Sequence, residues 1–266
     1  MITLQYGSSL AKNLFSLSGV AGATGLRLLF ASVCLFVFLR PWKTPFKKEY
    51  IIPLLTYGVS LGLMNLSFYF ALSKIPLGIA VALEFTGPLM LAVILSKNKW
   101  DYLWVLFAGV GIYLLLPSAK SGPIDPWGIL FALMAGFCWA LYIIFGKRLS
   151  ALPTKLSISY GMSVAAIVVL PFSLTLNLKQ VLHPQVLLPG LMVGIFASAI
   201  PYALELRAMR NLSQKSFSIL MSLEPAVATI IGLIFLGEIL TSLQVLAIVL
   251  ISIASLGTSL FKSSSH

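Results

Sequence analysis

The chain has 266 residues, of which 59% are hydrophobic and only 9% are charged, and its mean hydropathy is +1.01. Such a composition leaves too little polar surface for a water-soluble domain and is typical of proteins that cross a bilayer. The formal charge of +11 does not require a nucleic-acid partner, because basic loops of a membrane protein give the same sum.

Apolar stretches fill the chain nearly end to end, and a hydrocarbon core of about 30 Å needs roughly 20 such residues. Nine stretches predict transmembrane helices, near residues 20–39, 51–73, 77–95, 102–117, 126–147, 155–175, 186–208, 214–235 and 240–261. A weaker tenth helix is expected at 2–17, where Gln5, Lys12 and Asn13 interrupt the apolar run. The predicted fold is an all-α integral membrane protein of about ten helices, the first of them truncated.

Lysine and arginine are concentrated at alternate junctions between these helices. Four lie in one set, at Lys12, Lys74, Lys120 and Lys179. The other set and the C-terminus hold Arg40, Lys43, Lys47, Lys48, Lys97, Lys99, Lys147, Arg148, Lys155, Arg207, Arg210, Lys215 and Lys262. Short cytoplasmic loops retain basic residues, so the richer set, and with it the C-terminus, is predicted to be cytoplasmic.

The two halves of the chain carry the same landmarks. When Pro88 is aligned with Pro225, Asp101 falls on Glu238 at the same offset. The third helix of each half has a GxxxG step, which lets helix backbones approach closely: Gly58 to Gly62 and Gly190 to Gly194. These matches indicate a duplication.

An odd number of helices in each half turns the second copy upside down relative to the first. We therefore expect two inverted five-helix repeats, with helices 1–5 in residues 1–120 and helices 6–10 in residues 121–266. Inverted repeats are typical of secondary transporters that work by alternating access, with a binding site near the midplane.

Three charged residues stand out deep inside predicted helices, where a charge costs about 2.5 to 3.5 kcal/mol on insertion scales. Arg27 lies in the second helix, Glu84 near the middle of the fourth, and Glu224 near the middle of the ninth. Around a common cavity they could bind the two charges of a zwitterion or carry protons. The alternative is a structural ion pair that locks helices together.

Other residues are candidates for the same cavity. Asn65 and Tyr69 share a face of the third helix, and Trp139 and Tyr142 are three residues apart on the sixth. Tyr202 follows a proline in the eighth helix. For each aromatic residue, packing or interfacial anchoring is the alternative.

Pro88 and Pro225 each lie in a predicted helix. A proline removes one helical hydrogen bond and leaves a carbonyl of the preceding turn available to a ligand or a hinge. A tolerated kink is an equal alternative.

No catalytic centre, cofactor site or metal site is predicted. Cys34 and Cys138 lie in apolar helices, and the histidines do not cluster. The leading alternative to a transporter is an integral-membrane enzyme acting on lipid or lipid-linked substrates, which needs a cluster of acids, histidines or metal ligands at the interface. The interfacial acids lie on separate junctions, at Glu49, Asp101, Asp125 and Glu238.

The segment IPLGIAVALEFTGP at 75–88, with SLEP at 222–225 and PYALE at 201–205, resembles the EamA branch of the drug/metabolite transporter superfamily. The resemblance covers nearly the whole chain, including 7–12, 26–28 and 57–62. It implies ten helices in two inverted repeats around a central cavity, and export of small amphipathic metabolites down the proton gradient. Within this branch, the chain is similar to members that export threonine and homoserine.

We therefore expect a bacterial inner-membrane exporter of threonine, homoserine or related amino acids, working by proton antiport as a monomer or a homodimer. Its partners would be the substrate, the proton and the lipid bilayer. Family members begin earlier than this chain, so Met1 falls inside the first helix. A misassigned start codon or a shortened form is expected from this difference.

Overall fold

The computed structural model of the protein is a bundle of helices joined by short connections. It describes residues 1–94, 101–115, 124–149, 152–174, 183–201, 204 and 221–261. These residues contain no strand, so the all-α prediction is confirmed. In chain order the helices are α1 (Ile2–Leu39), α2 (Ile51–Leu72), α3 (Leu77–Ile94), α4 (Asp101–Leu115), α5 (Pro126–Arg148), α6 (Thr154–Leu174), α7 (Pro184–Gly194), α8 (Glu224–Leu236) and α9 (Ser242–Phe261). The predicted bounds of α2 to α6 and of α9 agree to within one or two residues.

Four segments of the described chain are long and apolar enough to cross a membrane: Leu14–Lys43, Lys48–Leu72, Pro126–Arg148 and Thr154–Ser173. Shorter apolar helices occupy Leu77–Leu91, Tyr102–Leu115, Pro184–Ala199, Glu224–Leu236 and Ser242–Gly257. The total of ten membrane-spanning helices stays a prediction.

Helix α1 is broken at Gly19, whose backbone has φ 67° and ψ 169°. A residue with a side chain rarely adopts this conformation, whereas glycine has no Cβ to clash. The break separates an amino arm, residues 2–18, from a carboxyl arm, residues 20–39. The two helices predicted at 2–17 and 20–39 therefore exist, with a single residue between them.

Two predicted helices differ from the structure. The one expected at 186–208 begins at Pro184 and passes into a π-helical segment, Ile195–Ala199. Of the one expected at 214–235, the structure describes residues 221–235, which contain a turn at 222–223 and α8 from Glu224 onward. Pro225 lies in the first turn of α8, where its missing N–H breaks no bond within that helix, and its role as a hinge or a kink stays a prediction. Pro88 lies inside α3, as predicted.

Both GxxxG steps lie at close helix contacts. A Cβ added to Gly62 of α2 would meet the backbone oxygen of Ala165 in α6 at 3.0 Å. A Cβ added to Gly194 of α7 would meet the backbone oxygen of Arg27 in the carboxyl arm at 3.1 Å. Small residues thus allow α2 to pack on α6 and α7 to pack on α1, and the close backbone approach that the GxxxG steps predicted is confirmed.

The bundle carries apolar side chains on its outside and polar ones inside. The most exposed large apolar residues are 72% to 87% accessible: Phe38, Ile52, Ile94, Tyr113 and Ile239. Buried polar and charged residues include Gln5, Arg27, Asn65, Glu84 and Glu224. Exposed apolar area of this extent fits a lipid environment rather than water.

Candidate functional site

A cavity of about 90 Å³ lies among α1, α2, α3, α5 and the start of α8, and we call it the central cavity. Its polar wall consists of Gln5, Ser8, Arg27, Asn65, Glu84 and Glu224. Ligand pockets for drug-sized molecules measure about 300 to 1,000 Å³, so this cavity suits only a small solute or a few water molecules.

The structure brings most of the predicted site residues to this one cavity. Six of the eight line it: Arg27, Asn65, Glu84, Trp139, Tyr142 and Glu224. Tyr69 is fully buried beside it, with its ring centre 5.0 Å from the Arg27 guanidinium carbon. Tyr202 lies outside the described residues.

Arg27 is held by the π-helical segment that follows α7. Its Nε donates to Ser198 Oγ at 2.9 Å, and its Nη2 donates to the backbone oxygen of Ala197 at 3.0 Å. A π-helical turn departs from the regular i to i−4 ladder, which makes its carbonyls available to other donors and explains why such turns recur at functional sites. No pattern in the sequence predicts this π-helical segment, so neither hydrogen-bond partner of Arg27 is predictable from the sequence.

Glu84 is 9% exposed and faces the central cavity from α3. Among the residues that the structure describes, no group donates a hydrogen bond to its carboxylate. Arg27 and Glu224 are close enough to act on it electrostatically. When all three are ionised their charges sum to −1, so the cavity favours a cation or a proton.

Glu224 is the first residue of α8 and is 4% exposed. Gln5 of the amino arm donates its Nε2 to Glu224 Oε1 at 2.9 Å. The sequence indicates Gln5 only as an interruption of an apolar run, and it predicts no role in a cavity for Ser8. Their spacing of three residues, which places both on one helix face, was the signal that could have identified them.

A contact between two glycines sets the position of Glu84. Pro88 has no N–H for the carbonyl four residues earlier, which is that of Glu84. A Cβ on Gly136 of α5 would lie 2.6 Å from this same carbonyl oxygen, and a Cβ on Gly87 would overlap the Gly136 carbonyl. Helices α3 and α5 therefore touch through their backbones directly beside the acidic side chain.

Aromatic residues close the remaining walls of the cavity. Trp139 packs edge-on against Phe85, with ring centres 4.7 Å apart. The Tyr57 hydroxyl donates to the Tyr142 hydroxyl at 2.9 Å. Asn65 donates its Nδ2 to the Leu61 backbone oxygen within its own helix at 2.8 Å, which fixes the direction of its amide.

A second cluster of polar residues lies at one end of the bundle, and we call it the end clamp. It consists of Glu238, which follows α8, together with Lys12 of the amino arm and the backbone N–H of Leu77. Glu238 accepts from Lys12 Nζ at 2.5 Å and from the Leu77 N–H, at the start of α3, at 2.8 Å. One carboxylate thus joins three helices and satisfies a donor that the helix itself leaves unpaired.

Asp125, the N-cap of α5, accepts from Lys74 at 2.7 Å. This hydrogen bond holds the pKa of Asp125 below its ordinary value, since it stabilises the charged carboxylate. Two interfacial acids that the sequence placed on separate junctions are therefore both engaged with lysines. Within the described part of the chain, no group of three His, Cys, Asp or Glu residues could hold a metal ion.

A helical bundle that is apolar outside, with a small charged cavity between its helices, has the architecture of a membrane transporter for small solutes. Residues 126–260 match the EamA-like transporter family. The chain is 44% identical over 261 residues to the threonine/homoserine exporters RhtA of Salmonella typhimurium strain LT2 and of Escherichia coli strain K12, a match that spans 98% of this chain and 88% of theirs. The chain therefore belongs to the EamA-like transporter family.

More distant relatives agree with this assignment. The uncharacterized inner membrane transporter YedA of Escherichia coli strain K12 is 26% identical over 258 residues, which span 89% of this chain and 82% of YedA. A solved crystal structure of a protein that is only 16% identical has a TM-score of 0.63 and covers 100% of this chain and 98% of its own. At that identity the match supports the fold alone.

Proposed function

We propose that this protein is a secondary active transporter that exports small amino acids, threonine and homoserine among them, across a bacterial inner membrane. The observation that carries the proposal is the central cavity, where Arg27, Glu84 and Glu224 are buried together. The names of the relatives that match nearly the whole chain support the same substrates.

The charges of the cavity are complementary to a zwitterion. Arg27 offers a guanidinium to a carboxylate, and Glu84, which has no hydrogen-bond donor among the described residues, offers a carboxylate to an ammonium group. A buried carboxylate without a donor is unfavourable unless a ligand or a proton compensates it. A compound with both charges would satisfy both side chains.

The same imbalance supports proton antiport. In the proposed cycle the cavity opens to the outside and takes up a proton on Glu84 or Glu224, which removes its negative excess. The protonated protein then reorients to the cytoplasm, where the amino acid displaces the proton and favours return. Each ligand shifts the equilibrium only because it binds one orientation better than the other.

Helix packing supports the two inverted repeats, residues 1–120 and 121–266, on which this cycle depends. The GxxxG step of α2, at Gly58 and Gly62, lies against α6, and the GxxxG step of α7, at Gly190 and Gly194, lies against the carboxyl arm of α1. In the proposed repeats, α2 corresponds to α7 and α6 corresponds to the carboxyl arm of α1. The first contact is therefore the counterpart of the second, as an internal two-fold axis requires.

The end clamp supplies a way to close one side of the cavity. Lys12 and Lys74 belong to the junctions with few basic residues, which we place in the periplasm, with the C-terminus in the cytoplasm. The clamp joins the amino arm to α3 and α8, and all three of these elements contribute to the cavity wall. Its breaking and reforming would open and close the periplasmic exit.

Uptake of labelled threonine and homoserine into inside-out vesicles, with and without an imposed pH gradient, tests the proposal. We expect accumulation that collapses with the gradient, and loss of this coupling in a Glu84→Gln, Glu224→Gln double variant. Substrate-driven transport by the double variant with unchanged pH dependence would remove the proton-coupling step. Absence of transport of either amino acid by a folded protein would remove the substrate assignment.

A further inference from the structure

Two polar atoms in the wall of the central cavity have no hydrogen-bond partner among the residues that the structure describes: Gln5 Oε1 and Ser8 Oγ. The two residues are among the most buried polar residues of the bundle, at 1% and 0% exposed. Buried polar atoms are nearly always hydrogen-bonded, so two unpaired ones in a single wall indicate a missing ligand.

The two atoms belong to one face of one helix. Gln5 and Ser8 are three residues apart on the amino arm, so their side chains are neighbours. The orientation of the Gln5 amide follows from chemistry: the Glu224 carboxylate accepts hydrogen bonds, so the amide nitrogen faces it and the amide oxygen remains unpaired. The wall therefore presents one acceptor beside one hydroxyl.

We propose that Gln5 Oε1 and Ser8 Oγ form the subsite that binds the side-chain hydroxyl of the transported amino acid. This inference rests on the proposed export of amino acids. A substrate hydroxyl donates to Gln5 Oε1 and accepts from Ser8 Oγ, which pairs both atoms at once. Arg27 and Glu84 would then hold the two charges common to all amino acids, and Gln5 with Ser8 would select among them.

The other groups of an amino acid fit this subsite less well. A substrate carboxylate would be repelled by the lone pairs of Gln5 Oε1 and by the neighbouring negative charge of Glu224. An ammonium group has only donors and leaves the proton of the Ser8 hydroxyl without an acceptor. An apolar side chain leaves both atoms unpaired, which is why sites built to bind a hydroxyl reject analogues that lack it.

Selectivity between isosteres is the measurable consequence. Threonine and valine differ only by a hydroxyl in place of a methyl group, and homoserine is related in the same way to 2-aminopentanoic acid. We expect the protein to prefer the hydroxyl compound of each pair by about tenfold or more. Replacement of the Ser8 hydroxyl is expected to remove most of this preference.

The experiment measures competition by each of the four amino acids against labelled threonine in vesicles that contain the full chain. Ser8→Ala is compared with Ser9→Ala, the neighbouring serine whose hydroxyl already donates to the Tyr6 backbone oxygen at 2.7 Å. We expect the threonine-to-valine ratio of apparent affinities to fall about tenfold in Ser8→Ala and to stay near the wild-type value in Ser9→Ala.

Each outcome separates the subsite from the proposed function. If Ser8→Ala weakens the binding of threonine and valine equally, or if the wild-type protein does not distinguish the isosteres, the proposal of a hydroxyl subsite is wrong. The proposed export of amino acids is not affected by either result. If none of the four compounds competes or is transported, the proposed function itself fails. The wild-type comparison decides the question even when the Ser8 variant does not fold.

Discussion

Four acidic residues in the described part of the chain lie in two regions, and their carboxylates are paired in opposite ways. At one end of the bundle, Glu238 and Asp125 each accept hydrogen bonds from a lysine and from a backbone N–H. In the central cavity, Glu84 faces an open space without a donor among the described residues, and Glu224 is bonded by the neutral amide of Gln5.

The difference separates structural acids from functional ones. A carboxylate that is fully paired where it meets water adds modestly to stability and gains little from a ligand. A buried carboxylate without a donor, as Glu84 is among the described residues, destabilises the empty protein, and a cation or proton that enters relieves this. We infer that the end acids hold helices together and that the cavity acids bind what is transported.

The largest effect is expected from removing charge in the cavity rather than at the end. Glu84→Gln should lower gradient-driven threonine export by about a hundredfold, because the variant cannot take up a proton or pair an ammonium group at this position. Glu238→Gln keeps the cavity intact and should lower export by less than about tenfold, through a weaker end clamp. Initial rates in inside-out vesicles with equal amounts of folded protein measure both, and equal losses would break the distinction.

A smaller effect on stability is expected where α3 and α5 touch beside Glu84. A Cβ from Gly87→Ala overlaps the Gly136 carbonyl, so the helices must separate, at a cost of about 1 to 3 kcal/mol. Gly109→Ala is the matched control, since no atom of another helix in the described part of the chain lies within 4 Å of its added Cβ. Melting curves in detergent should show a lower transition temperature for Gly87→Ala only. A lower transition temperature for Gly109→Ala would contradict this account.

The smallest effect is expected at the exposed pair of Lys74 and Asp125. The hydrogen bond from Lys74 lowers the pKa of Asp125, so the stabilisation is present above the ordinary value of 3.8 and is lost as the pH falls through the lower folded-state value. The melting temperature of Asp125→Asn should therefore be slightly below that of the wild type at pH 7 and equal to it in strong acid. Salt should shrink the difference at pH 7, because exposed pairs are screened.

Much of the fold followed from short-range signals. Apolar length identified the bounds of α2 to α6 and α9, because a bilayer sets the length of any helix that crosses it. The rarity of intramembrane charge singled out Arg27, Glu84 and Glu224, because such residues are unfavourable in lipid wherever the helices pack. These constraints act on each segment alone, so no knowledge of its neighbours was needed.

The partners of those residues were decided only by the tertiary structure. The π-helical turn that holds Arg27, the start of α8 at Glu224 and the pairing of Lys12 with Glu238 depend on segments far apart in the chain. In the sequence Gln5 only interrupts an apolar run, whereas in the fold its amide donates a hydrogen bond to Glu224. Composition and charge thus determined a membrane bundle with a charged interior, whereas helix packing decided which polar atoms were left unpaired, because hydrogen bonds require contact that local sequence does not encode.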